Sequence, residues 1–136
     1  MTFLANTNMQ IVRLYANGDG ESHFEDVEID LMLTDYAPPA PPLHLAPPTP
    51  ASRCGFMQAP SGWSSDWHPS PARNMFFVST GEWEVTASDG ETRRFAVGSI
   101  LLVEDTRGKG HMSRVIGEVD SLAAMVQLGD QLLPPQ

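Results

Sequence analysis

The sequence predicts an all-β domain, built as an antiparallel sandwich or barrel. Three observations lead there. Short β-forming segments recur about 8 to 12 residues apart with turn formers between them. Asp89-Gly90 separates two of them as a hairpin turn does. Outside a weak stretch at 122–133, where strand and helix compete, no run of about ten residues or more keeps a helical period. The 136 residues suffice for one domain, and a chain of about 150 buries roughly two-thirds of its unfolded surface without a disulfide or metal staple.

Taken in order, Gln10 to Ala16 (QIVRLYA) reads as a strand that ends at the turn formers Asn17-Gly18-Asp19-Gly20. Alternation from Val27 to Leu31, within the acidic segment Glu21 to Met32, predicts a strand with one wet face. Seven prolines between Pro38 and Pro50 forbid a helix or a central strand, since each removes a backbone donor, and predict an extended connection over one side of the domain. Eight further strands are expected at Arg53–Ala59, Trp63–His68, Arg73–Thr80, Glu82–Ser88, Glu91–Phe95, Ser99–Glu104, His111–Ile116 and Ser121–Leu128. Between the fourth and fifth of these, Asp89-Gly90 predicts a two-residue turn of type I′, with φ positive at both positions. Residues 1–50 are therefore expected to pack as N-terminal strands and a proline-rich loop against a core formed by 51–136, within one structural domain.

Composition excludes several partners. With 17 Asp+Glu against 8 Lys+Arg, a net charge of −9 and one lysine, Lys109, the chain lacks the clustered cations that hold nucleic acid. Cys54 is the sole cysteine, which excludes an internal disulfide; its default reading is a buried, inert thiol. No leader-like start and no run of roughly 20 apolar residues is present, so no membrane association and a soluble, cytoplasmic protein are expected. The glycines around Lys109 do not keep phosphate-loop spacing.

The four histidines divide by context. His23 lies in the acidic segment and His44 in the proline loop, whereas His68 and His111 fall at strand edges beside glycine turns. Gly62, His68, Ser70, Asn74 and Gly81 keep a fixed spacing, and Gly98 and His111 form a second group. These two groups resemble the paired motifs of the cupin superfamily: glycine, five residues, His-x-His, three or four residues, glutamate, six residues, glycine; then a strand-opening glycine, a turn and a histidine. Here Ser70 stands at the second histidine position and Asn74 at the glutamate position, while the second motif lacks its proline and has a turn two residues longer. The resemblance covers roughly 53–128.

The resemblance implies a single antiparallel β-barrel, the double-stranded β-helix or jelly roll, with a pocket at its wider end. It further implies a divalent transition metal (Fe, Mn, Ni or Zn), here with His68 and His111 as ligands, and a homodimer made through N-terminal strands such as Gln10–Ala16. Strand parity would place Asp66 beside His68, as a candidate for the missing carboxylate and for catalysis, and Asn74 could add an amide oxygen. Asp105 is a candidate acceptor for an imidazole N–H. Pocket walls are expected from Trp63, Trp67, Ser70, Phe76 and Trp83, with Val78, Val85, Met57 and Met75 as neighbours. Arg73 is expected on the opposite face, at the surface. Two functions follow: a metal-dependent enzyme (oxygenase, isomerase, decarboxylase or lyase) acting on a small carbonyl- or carboxylate-bearing substrate, or a metal-free small-molecule-binding protein.

Overall fold

The computed structural model describes residues 6–129. They form ten strands: β1 (Thr7–Ala16), β2 (Ser22–Thr34), β3 (Leu43–Leu45), β4 (Ala51–Ala59), β5 (Asn74–Val78), β6 (Glu82–Ala87), β7 (Thr92–Phe95), β8 (Ile100–Val103), β9 (His111–Ile116) and β10 (Ser121–Leu128). No helix among the described residues is long and apolar enough to cross a membrane. A seven-stranded sheet runs β3-β2-β1-β8-β5-β10-β4, and a three-stranded sheet runs β7-β6-β9. From β5 onward the chain passes back and forth between the two sheets, with the β6–β7 hairpin as the one local return. This is a jelly roll of two facing sheets rather than a closed barrel.

Pairing is antiparallel except at β1–β8, where Val12–Leu14 run parallel to Leu101–Val103. That parallel contact places β1 inside the larger sheet, with β2 on its other edge. Within one chain, one backbone edge of β1, Gln10–Ala16 included, is paired throughout with β2, and the other is paired with β8 at Val12–Leu14.

Burial explains the sequence of β8. Leu101 and Val103 join Leu14, Phe24, Val78, Val85, Ala87 and Phe95 in a core between the sheets. Leu102 belongs to a second cluster with Ile11, Val27 and Leu128, against which Ile100 and Met75 pack. Successive residues of a strand face opposite ways, so a strand covered on both faces reads as an unbroken apolar run, here Ile-Leu-Leu-Val.

Two local expectations are corrected. The β6–β7 connection is a three-residue loop: Gly90 N–H donates to Ala87 O (3.0 Å) and Ala87 N–H to Glu91 O (2.9 Å). Only Gly90 has positive φ (97°), so Asp89 is not the type I′ residue expected. Asp89 stays in ordinary backbone space because its carboxylate caps the turn, accepting the Glu91 N–H and the His23 Nδ1–H. The segment expected as a strand at Trp63–His68 forms only two isolated bridges to β9, Ser64↔Arg114 and His68↔His111. It bends at Trp67, and the prolines at 69 and 71 cannot donate to a continuing ladder. It nonetheless runs beside β9, held by Ser65 N–H to Ser113 O (2.9 Å) and by the reciprocal His68–His111 backbone pair (3.0 Å each).

Candidate functional site

A cavity of about 380 Å³ lies between the sheets. Strand parity builds its walls. On β5, Asn74, Phe76 and Val78 face inward while Met75 joins the opposite cluster. On β6, Trp83 and Val85 face inward, and Phe95, Leu101 and Val103 complete an apolar floor. Trp63 stands half-exposed at the wall, edge-on to Trp83 with ring centroids 5.6 Å apart. Trp83 Nε1 is already spent on Ser121 Oγ (2.6 Å), so that indole offers its face rather than its N–H.

His68 and His111 both line the cavity. Their ring centroids lie 4.7 Å apart, a consequence of the direct backbone pairing of the two residues. Gly110 makes this approach possible: its φ is +77°, and a Cβ there would meet the carbonyl carbon and oxygen of His68 at 2.1 Å. Each ring is held from behind through Nδ1. His68 Nδ1–H donates to the backbone carbonyl of Asp66 (2.8 Å), and His111 Nδ1–H donates to Asp105 Oδ2 (2.6 Å). Because both acceptors are oxygens, Nδ1 carries a proton in each ring, and in the neutral imidazole Nε2 keeps its lone pair. Asp105 is fully buried, and its Oδ1 has no hydrogen-bond partner among the described residues.

Asn74 supplies the third polar group. It is 5% exposed, lines the cavity, and its amide makes no hydrogen bond to the described residues. Ser70 is buried in the wall, but its hydroxyl donates to Ala72 O at 2.6 Å. Asp66 and Trp67 are exposed and do not line the cavity; Asp66 contributes its backbone carbonyl to His68 instead of a carboxylate to the site. The same proline-interrupted bend that shortens this strand breaks the parity expected to align Asp66, His68 and Ser70.

The donors present do not fit a resident transition-metal ion. A non-haem site needs at least a carboxylate beside two imidazoles, and no group of three or more His, Cys, Asp and Glu able to hold an ion exists among the described residues. Asn74 is neutral and the Ser70 hydroxyl is engaged, so the shortfall follows from the chemistry of the side chains.

Three residues singled out in the sequence lie elsewhere. Arg73 is buried, not superficial: its Nε and Nη2 lie 2.7 and 2.6 Å from Glu104 Oε2, and Arg13 holds the other oxygen. Cys54 is exposed, because β4 is an edge strand paired on one side only. Lys109 pairs with Glu21 at 2.8 Å; this contact lowers the Glu21 carboxyl below its ordinary value and raises the Lys109 ammonium above its own. Sequence reasoning did not find Leu101, Val103, Phe95 and Met125 as cavity lining; the unbroken apolar run of β8 carries no alternation to tell which of its residues face the cavity.

The strand order, the two facing sheets and the position of His68 and His111 at one cavity define a jelly roll, the fold that the resemblance to cupins implies. The comparisons are distant. No protein-family model matches the chain, and no curated protein matches it. Solved structures that resemble it include the cupin domain of Schizosaccharomyces pombe Cnp3 (17% identity, TM-score 0.47, 93% of this chain and 86% of that one). Protein NMB1881 of Neisseria meningitidis is similar over 56% of this chain and 72% of its own (17% identity, TM-score 0.43). Protein SPY1581 of Streptococcus pyogenes is similar over 57% of this chain and 65% of its own (20% identity, TM-score 0.42). The fold assignment rests on the chain's own topology and register.

Proposed function

We propose that the cavity binds a small, largely apolar organic molecule with one polar, carbonyl-bearing end, and does so without a resident metal. The observation that carries this reading is an apolar cavity of about 380 Å³ whose unengaged polar groups are the Asn74 amide and the Nε2 atoms of His68 and His111. Pockets of about this size, apolar with a few convergent polar groups, suit small organic ligands. No arginine or lysine lines it among the described residues, so a carboxylate would enter without a fixed counter-charge. A neutral carbonyl compound is the better match.

Titration of chelator-treated protein with neutral aryl ketones, read by tryptophan fluorescence from Trp63 and Trp83, tests this. Saturable quenching unchanged by chelator is expected. Absence of saturable quenching would overturn the reading, as would binding that appears only after loading with Fe, Mn, Ni or Zn; the latter, with metal content near one equivalent by elemental analysis, would restore the metal-dependent alternative.

A further inference from the structure

We propose that this cavity carries out proton transfer at a carbon next to a neutral carbonyl group, with His111 as the base and Asp105 as its positioning residue. Asn74 is the donor to the carbonyl oxygen. The proposal rests on the reading of the cavity as a site for such molecules and adds chemistry to it.

Three features of the site converge on this reaction class. Asp105 is fully buried and hydrogen-bonded to His111 Nδ1 at 2.6 Å, which fixes the imidazole with Nε2 as its proton acceptor. A carboxylate in that position stabilises the imidazolium formed when Nε2 takes a proton. Asn74 is buried in the same cavity, and its amide makes no hydrogen bond to the described residues, which leaves its N–H to donate to a bound carbonyl oxygen. The remaining walls are mainly apolar, so charge developing on that oxygen is met by a fixed dipole in place of mobile water.

The step balances without a co-reactant. His111 Nε2 takes the proton from the carbon adjacent to the carbonyl; the C–H electron pair becomes the carbon–carbon π bond, and the carbonyl π pair moves onto oxygen, where an Asn74 N–H holds it. Return of the proton to the same carbon gives exchange or inversion, and return to another carbon of the conjugated system gives isomerisation. Nothing is oxidised or reduced.

The probe is 2-tetralone, a neutral bicyclic ketone with acidic C–H bonds, incubated with the protein in deuterated buffer near neutral pH. Loss of its proton signals follows exchange by NMR, and tryptophan quenching reports binding. The protein is expected to accelerate exchange well above an equal concentration of free imidazole. At saturating probe, His111→Gln should lose about 100-fold or more of that acceleration. Asp105→Asn should bind the probe and lose at least about tenfold with a changed pH profile, and Asp105→Glu should recover part of the rate, which a merely structural role would not produce. A probe that binds yet exchanges at the solution rate overturns the proposal and leaves the binding reading standing, and so does a His111→Gln protein with the parent rate. A probe that does not bind overturns both.

Discussion

A methyl group added at position 110 would sit 2.1 Å from the carbonyl of His68, on a backbone whose φ is +77°. The clash is with main chain, so no rotamer change relieves it, and a left-handed non-glycine residue adds its own penalty of about 1 kcal/mol or more. Gly110→Ala is expected to destabilise the protein by roughly 2 kcal/mol or more and to separate the two imidazoles. Urea unfolding and histidine NMR shifts check this; an unchanged midpoint and unchanged shifts would refute it. Arg73 makes a comparable single-residue argument on the other side of the larger sheet. Glu104 is buried between Arg73 and Arg13, and removing one cation leaves a carboxylate half-compensated out of water. Arg73→Met should cost about 3 kcal/mol, since breaking a buried ion pair is penalised more than making one is rewarded. A loss below about 0.5 kcal/mol in urea titrations would show Arg13 sufficient alone.

At the scale of elements, the turn after β1 and the turn before β9 hold one another. Gly20 and Gly108 approach so closely that a Cβ on Gly108 would fall 2.2 Å from Gly20 O, and Lys109 N–H donates to that same oxygen at 3.0 Å. Across this contact lies the Lys109–Glu21 pair. Hydrogen bonding to Lys109 lowers Glu21 from its ordinary 4.5, so whatever stability the pair adds is present above that value and fades as pH falls through the lowered one. For Lys109, raised from 10.5 by Glu21, the same contribution is lost as pH rises through the raised value. The pair is solvent-exposed, so the effect is small and salt-sensitive. Comparison of the parent with Glu21→Gln across pH at low salt should show a difference at neutral pH that vanishes in acid once Glu21 is protonated; a difference that persists there would assign it to packing instead.

For the whole molecule, the consequential contact is β1 with β8. β1 is an interior strand of the larger sheet and contributes Leu14 to one core cluster and Ile11 to the other. A chain beginning at Ala51 would expose the β8 edge and leave both clusters unfilled. Such a fragment should lack dispersed amide signals in a proton–nitrogen NMR spectrum. A well-dispersed spectrum would mean that 51–136 folds by itself and that β1 and β2 are an addition.

Local pattern determined much of this protein. Strand positions, the inward turn of Asn74 and Phe76, and the motif histidines at one pocket follow from a period of two and from glycine spacing, both properties of neighbours along the chain. Only tertiary structure decided the rest. Asp66 leaves the pocket because the backbone bends before Pro69, Arg73 becomes buried because Glu104 and Arg13 arrive from distant strands, and Cys54 is exposed because β4 has one sheet neighbour and not two. The parallel β1–β8 pairing and the free amide of Asn74 belong to the same group. Each depends on which strands meet across long sequence separations, a choice made by the summed burial of both sheet faces and not legible in any one segment.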